Sequence, residues 1–320
     1  MRGKEGIVKI LLERKDIDLN HPNNDGQTAL WLAAASGNEE VVKMLLKRKD
    51  IDLNCRDNKG GTALSVAAGL GKERVVKMLL QPNDIDPNCQ DSEGQTPLQL
   101  AVMYGKEGVV KILLEREDID LNYLGNKGQT VLSLATMLRR EGIVKILLER
   151  KDIDPNCQDN EGQTPLLGAA RRGEEGIVKI LLERKDIDLN YQDNQGQTAL
   201  SLAALLGKEG VVKILLEEKD IDPNCRDGGC RTPLLVAAAC GEEGVVKMLL
   251  ERRDIDLNCR DDKGRTPLQL AATRGEEGVI KILLEREDVD FNRPDDESGT
   301  ALWWAAGLGL LLLQTITLAD

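Results

Sequence analysis

Apolar and polar positions follow one another along this chain in a fixed rhythm. A turn-forming stretch, DNEGQ at 159–163, leads into a short apolar run, PLLGAA, and a glycine at 173. A longer run, EEGIVKILLER, comes next, and an acidic stretch, DIDLN, closes the unit at Asn190. In the longer run the Ile-Val and Leu-Leu pairs stand three to four positions apart, which predicts a helix with one apolar stripe. The shorter run, Leu-x-x-Ala-Ala, predicts a second helix whose small side chains let neighbouring helices approach closely. The DID segment reads as extended chain, with its isoleucine inward and its aspartates outward.

One threonine marks the period. It stands at Thr28, Thr62, Thr96, Thr130, Thr164, Thr198, Thr232, Thr266 and Thr300, always 34 residues apart, so the chain is an internal repeat. The hydroxyl suits a helix N-cap, and Pro97, Pro165, Pro233 and Pro267 follow it in the first turn, where a missing N–H is harmless. Acids open the second helix and Lys or Arg close it, as the helix dipole favours. Helices of about two to three turns do not stand alone in water. The units must stack and share their apolar faces. The expected fold is an all-α repeat solenoid of stacked helix-turn-helix units with turn fingers. Its expected parts are a partial unit at 1–22, eight regular units over 23–292 and a degenerate unit over 293–320. At roughly 8–10 Å per layer, eight units would make a curved rod about 70 Å long. The pattern breaks at Gly125, where other copies have Asp, and at Arg139, Cys230 and Ser298, which replace glycines. Gly229 is expected to absorb the strain at Cys230.

The unit resembles the ankyrin repeat. Asp91 to Leu114, DSEGQTPLQLAVMYGKEGVVKILL, follows the pattern D-x-x-G-x-T-P-L-x-x-A-A-x-x-G with V-V-K-x-L-L after it. The usual ankyrin unit is one residue shorter. The extra residue lies in LLERKDIDLN, a form similar to arrays in large fungal ankyrin-repeat proteins. The tetratricopeptide repeat has the same period, but it needs two long helices and a Trp-Tyr-Phe pattern. Three Trp, three Tyr and one Phe do not supply that pattern. Where the family commonly has His after the leucine of T-P-L, this chain has Trp31, Ser65, Gln99, Ser133, Leu167, Ser201, Leu235, Gln269 and Trp303. Any turn-bracing bond must come from Ser or Gln, or be absent.

The resemblance implies protein binding through a concave helix and finger face, to which the two residues after Ala-Ala contribute. These pairs vary from copy to copy while the framework hardly changes. The central ones are Met103 and Tyr104, Met137 and Leu138, and Arg171 and Arg172. Together they offer adaptable apolar surface, a ring with a hydroxyl and two guanidinium groups, and they form the candidate partner site. The expected function is a non-catalytic protein–protein interaction scaffold for an unknown protein partner. The alternative is a passive spacer within a larger multidomain protein.

Composition narrows the chemistry. Aromatics make up only 2%, so the core must be Ala, Leu, Val and Ile. A net charge of −12 disfavours nucleic acid and anionic membranes. No secretory leader opens the sequence, and its longest apolar run, residues 301–313, is too short for a membrane span. An intracellular location is expected, cytoplasmic rather than nuclear. Five of the seven cysteines, Cys55, Cys89, Cys157, Cys225 and Cys259, occupy one place in different copies, the others being Cys230 and Cys240. Stacked copies hold such thiols beyond disulfide reach, and no CxxC pair suggests zinc. His21 is the only histidine, and no phosphate-binding loop occurs, so no catalytic residue, metal or cofactor is expected. Asp152-x-Asp154-x-Asn156 looks calcium-like, but Cys157 stands where an EF-hand loop needs glycine. The acids are expected to form ladders down the stack that attract a basic ligand. Both ends read as cuts through a longer array, and the LLLL run at 310–313 is expected to promote self-association.

Overall fold

The computed structural model describes residues 2–126 and 128–307, and among these all regular structure is helical. The chain divides into two compact units, residues 1–160 and 161–320. The first unit opens with α1 (Arg2–Leu12). It continues with α2 (Ala29–Ser36), α3 (Glu39–Leu46), α4 (Ala63–Gly69), α5 (Glu73–Leu79), α6 (Pro97–Met103), α7 (Glu107–Leu114), α8 (Val131–Met137) and α9 (Glu141–Leu148). The second holds α10 (Pro165–Arg172), α11 (Glu175–Leu182), α12 (Ala199–Leu205), α13 (Glu209–Glu217), α14 (Pro233–Cys240), α15 (Glu243–Leu250), α16 (Pro267–Arg274) and α17 (Glu277–Leu284), followed by helical residues 301–307. Within each unit the helices stack in two layers. Inner helices pack on inner ones (α2 on α4, α12 on α14) and outer on outer (α3 on α5, α13 on α15). Each architecture is the all-α repeat solenoid that the period implies.

The local signals act as their chemistry requires. Thr198 Oγ1 accepts the Ser201 N–H at 3.2 Å, and the same cap recurs from Thr28 to Thr300. Leu200, Ala203 and Ala204 of α12 and Val211, Val212 and Leu215 of α13 are buried. Full burial of one such leucine contributes about 1.5–3 kcal/mol. The alanines keep the inner helices close, and the larger aliphatics of the outer layer close the core.

The DIDxN segment is what joins one copy to the next. Asn190 donates from Nδ2 to Asp220 O at 2.8 Å, and its Oδ1 accepts the Asp222 N–H at 2.8 Å. The side-chain amide thus brackets the intervening residue, Ile221, which is buried. Asn224 holds Asp254 and Asp256 in the same way, and Asn258 holds Asp288 and Asp290. In the first unit Asn20, Asn54, Asn88 and Asn122 repeat the device.

The two aspartates do more than face solvent. The first pins an arginine: Asp254 takes Arg252 Nε and Nη2 at 2.9 and 2.7 Å, while Arg252 Nη1 reaches back to Leu216 O at 2.9 Å. That carbonyl belongs to the end of the preceding outer helix, where acceptors lack intrahelical partners. Arg48, Arg116, Arg150 and Arg286 cap in the same way. The second aspartate accepts the N–H of the following asparagine, as in Asn224 to Asp222 at 2.9 Å. The aspartates are exposed, as expected, and in most copies one carboxylate in two is also paired with an arginine. Close to these arginines the carboxylates of Asp50, Asp118, Asp152, Asp186, Asp254 and Asp288 titrate below the usual range, through the hydrogen bond from the guanidinium.

The glycine in the first turn of the outer helices lies under a flexible side chain. The carboxylate of the glutamate that opens the preceding outer helix, Glu73, Glu175, Glu209 or Glu243, covers Gly108, Gly210, Gly244 or Gly278 and would have to swing aside for a Cβ. Where α5 has Arg74 at that place, the guanidinium pairs with Glu39 at 3.5 Å instead.

At the copy that meets no earlier inner helix, Ile7, Ile10 and Leu11 of α1 stay 59, 67 and 48% exposed. The LLLL run at 310–313 lies outside the described residues. The three sequence breaks retain the left-handed geometry of the glycines they replace: φ is 58° at Arg139, 56° at Cys230 and 66° at Ser298. Gly229 does not take up the strain as expected, since Cys230 itself carries the positive φ. Left-handed backbone at a non-glycine residue costs about 1–2 kcal/mol, partly offset by the greater entropy glycine loses on folding. Replacing the exposed Cys230 with glycine is expected to raise stability by about 0.5–1 kcal/mol in denaturant unfolding; an unchanged or lower midpoint would show the turn to be unstrained.

Candidate partner-binding site

The fingers are built on an aspartate. Asp91 Oδ1 accepts two backbone N–H groups, from Glu93 at 3.0 Å and Gln95 at 2.9 Å. Asp57, Asp193, Asp227, Asp261 and Asp295 do the same. Gly125 brings no carboxylate. Its turn still closes through Gly128 N–H to Gly125 O at 2.7 Å and Gly125 N–H to Gln129 O at 3.2 Å.

Beside Gly125 lies a recess of about 230 Å³ lined by Gln99, Met103, Gly125, Gln129, Leu134, Met137 and Leu138, with Glu93, Gln95 and Asn126. Gln99 fixes its polar part: Oε1 accepts the Thr96 N–H at 3.1 Å and Nε2 donates to Gln129 O at 3.1 Å. Gln129 Nε2 in turn lies 3.3 Å from Met137 Sδ. The remaining lining is thioether and aliphatic, which adapts to an irregular apolar group.

Three of the six residues singled out in the sequence, Met103, Met137 and Leu138, thus meet in one recess of the first unit. Tyr104 does not line it. Its ring, 56% exposed in this residue, lies over Gly69, where an added Cβ would be 3.5 Å away. Arg171 and Arg172 belong to the second unit, at the end of α10, and both are exposed. Arg172 Nη1 donates to Gly168 O at 2.9 Å. Arg171 donates to the Gln163 amide oxygen at 3.1 Å when that amide is oriented by its partners. Gln99, Gln129 and Leu134 were not among the sequence candidates, although the glycine at 125 was the visible signal. Elsewhere the residue pair after Ala-Ala is also open to solvent, as at Leu70 and Leu206, 51 and 43% exposed.

The position after T-P-L is braced unevenly. Ser65, Gln99, Ser201 and Gln269 close capping boxes with the threonine. Gln269 also reaches the next copy at Gly299 O, 2.7 Å away. Leu235 instead packs with Cys259 and Leu270, and the buried Trp31 indole N–H has no partner.

A family model described as ankyrin repeats (3 copies) matches residues 1–91, 64–159, 142–227 and 234–315. The chain belongs to the ankyrin repeat family. Among solved structures it is similar to the ankyrin repeat domain of Bcl-3, described as a unique member of the IkappaB protein family. The likeness has a TM-score of 0.65 and 26% identity, over 71% of this chain and all of that one. No curated protein matches the sequence. Ankyrin repeats generally mediate protein–protein interaction.

In this ankyrin chain the repeated cysteines belong to the framework. The thiols of Cys89, Cys157 and Cys225 face the second aspartate of DxD at 3.1, 3.4 and 3.3 Å. Burial first, and then that carboxylate, push Cys157 and Cys225 up to about 12 and Cys55 to about 11. Burial likewise raises Cys259 to about 11. These thiols stay protonated at neutral pH, and a protonated thiol is a poor nucleophile and a poor metal ligand. Among the described residues no group of three His, Cys, Asp or Glu side chains could hold a metal ion, and no helix is long and apolar enough to cross a membrane. Timed alkylation at pH 8 with mass-spectrometric readout should label the exposed Cys230 first and the thiols of Cys55, Cys157, Cys225 and Cys259 about a hundredfold more slowly. Equal rates would show that the carboxylates and burial do not protect them.

Proposed function

We propose that this chain is a non-catalytic protein-interaction scaffold that takes a partner's apolar anchor into the recess at Met103, Met137 and Leu138. Tyr104 of the same unit contributes a contact beside it. On the second unit, taken by itself, the exposed Arg171 and Arg172 at the end of α10 are a separate contact for a carboxylate. The observation that carries this reading is the recess beside Gly125, at a place where seven other copies have an aspartate. Tyr and Arg are the residue types that most often dominate binding energy, and methionine follows the shape of the group it meets. The partner chemistry that fits the recess is a protein segment with an apolar or aromatic anchor.

Three variants of the full chain test it after capture of a partner from cell extract. Gly125→Asp should fill the recess and supply the missing turn acceptor, leaving the fold at least as stable. Tyr104→Ala and Arg172→Ala remove surface groups outside the shared core. Each is expected to weaken binding by about 2 kcal/mol, roughly thirtyfold, with little change in unfolding. Undiminished binding by all three would place the partner elsewhere, with the finger tips such as Glu93 the next candidates.

A further inference from the structure

The arginine that caps the preceding outer helix stands in every copy except two. At its place the chain has Pro82 in the first unit and Glu218 in the second. In the intact copies the guanidinium reaches the carbonyl 36 residues back and the aspartate two residues on, as in Arg252 with Leu216 O at 2.9 Å and Asp254 at 2.7 Å. Arg150 adds the carbonyl 34 residues back, Arg116 O, at 3.2 Å. For position 218 the corresponding acceptors are Leu182 O, Arg184 O and Asp220. These residues line an open groove of about 480 Å³, together with Glu218 itself, Asp188 and Lys185, so that three carboxylates there outnumber the two cations Arg184 and Lys185. No cation pairs with Asp220 among the described residues, whereas its counterparts Asp152 and Asp254 are bound by arginine. The helix α13 also runs one residue further than α15 and α17, so that Glu218 is its cap residue, with ψ 133°.

We propose that this groove is a socket for an arginine side chain of a partner protein. The molecule itself shows the ligand, because five other copies fill the equivalent place with their own guanidinium. All the acceptors are retained, and Glu218 replaces the missing cation with a further carboxylate. An incoming guanidinium meets a helix C-terminal carbonyl on one side and two carboxylates on the other. That arrangement matches its planar fork of donors better than it matches a point-charge ammonium. The groove at Pro82 is smaller, about 290 Å³, and there three cations, Lys47, Arg48 and Lys49, face Asp84 alone, so its charge balance is positive where that of the Glu218 groove is negative. The socket lies wholly within the second unit and shares no residue with the recess of the first, so either can fail without the other.

The probe is the peptide acetyl-Gly-Arg-Gly-amide, with acetyl-Gly-Lys-Gly-amide as its control. Each is titrated into the full chain and followed by amide chemical shifts. The arginine peptide should move the resonances of Leu182 to Lys185 and of Asp220, with an affinity at least about threefold above that of the lysine peptide. Glu218→Arg should fill the socket from within, abolish those shifts and raise the unfolding temperature. Asp220→Asn, which leaves the backbone alone, should weaken peptide binding several-fold. Equal shifts with the two peptides, shifts spread evenly over the acidic segments, or shifts that persist in Glu218→Arg would each overturn the assignment.

Discussion

The structure depends on one side-chain amide per copy. The asparagine that closes DIDxN carries the donor and acceptor of a peptide group, and it uses both on the backbone of the next copy. Among the described residues no ladder of strands ties these segments together, and helices this short do not hold themselves. Buried aliphatics drive the layers together without direction. The amide fixes how far along each copy the next one docks, because its two bonds reach only the groups on either side of a buried isoleucine. A copy one residue longer or shorter would present the wrong pair, which accounts physically for the unbroken 34-residue period.

A consequence is that most of the repeated polar groups are already engaged. The finger aspartates hold turn amides, the first aspartate of most DIDxN segments holds an arginine, and that arginine holds a helix end. The second aspartate holds an asparagine N–H and, where the copy has a cysteine, faces a protonated thiol. Such bonds are each worth about 0.5–1.5 kcal/mol net, more where charge assists, and they are more valuable kept than free. The two proposed binding sites therefore fall where a copy departs from the pattern. Gly125 vacates a turn beside a recess; Glu218 vacates a cap and leaves acceptors in place.

Much of this was legible in the sequence where the cause is local. Threonine caps, proline at the first helical position, glycine exits and the two apolar stripes depend on residues within four positions of one another, and they appear as read. The arginine caps and asparagine clamps do not, because their partners lie 30 to 36 residues away and depend on how copies dock. Reading DIDxN as outward acids and inward isoleucine placed the side chains correctly but missed these partners for that reason. Gly125 was visible as a departure, but the recess also needs Gln99 from the preceding copy and Leu134 from the following helix. Cys230 was visible too, and the strain was assigned to the wrong neighbour, since only backbone angles show which residue turns left-handed.

The most direct measurement is native-state hydrogen exchange at single-amide resolution, read at the second aspartate of each DIDxN. Asp256 is exposed and lies outside any helix, yet its N–H is held by Asn224 Oδ1 at 2.8 Å. If the asparagine amide is what registers the copies, the Asp256 N–H exchanges as slowly as the buried amides of α15, and Asp222 and Asp290 behave likewise. Exchange at the rate of an unprotected loop amide, beside protected helices, would contradict it and leave apolar packing alone to set the period.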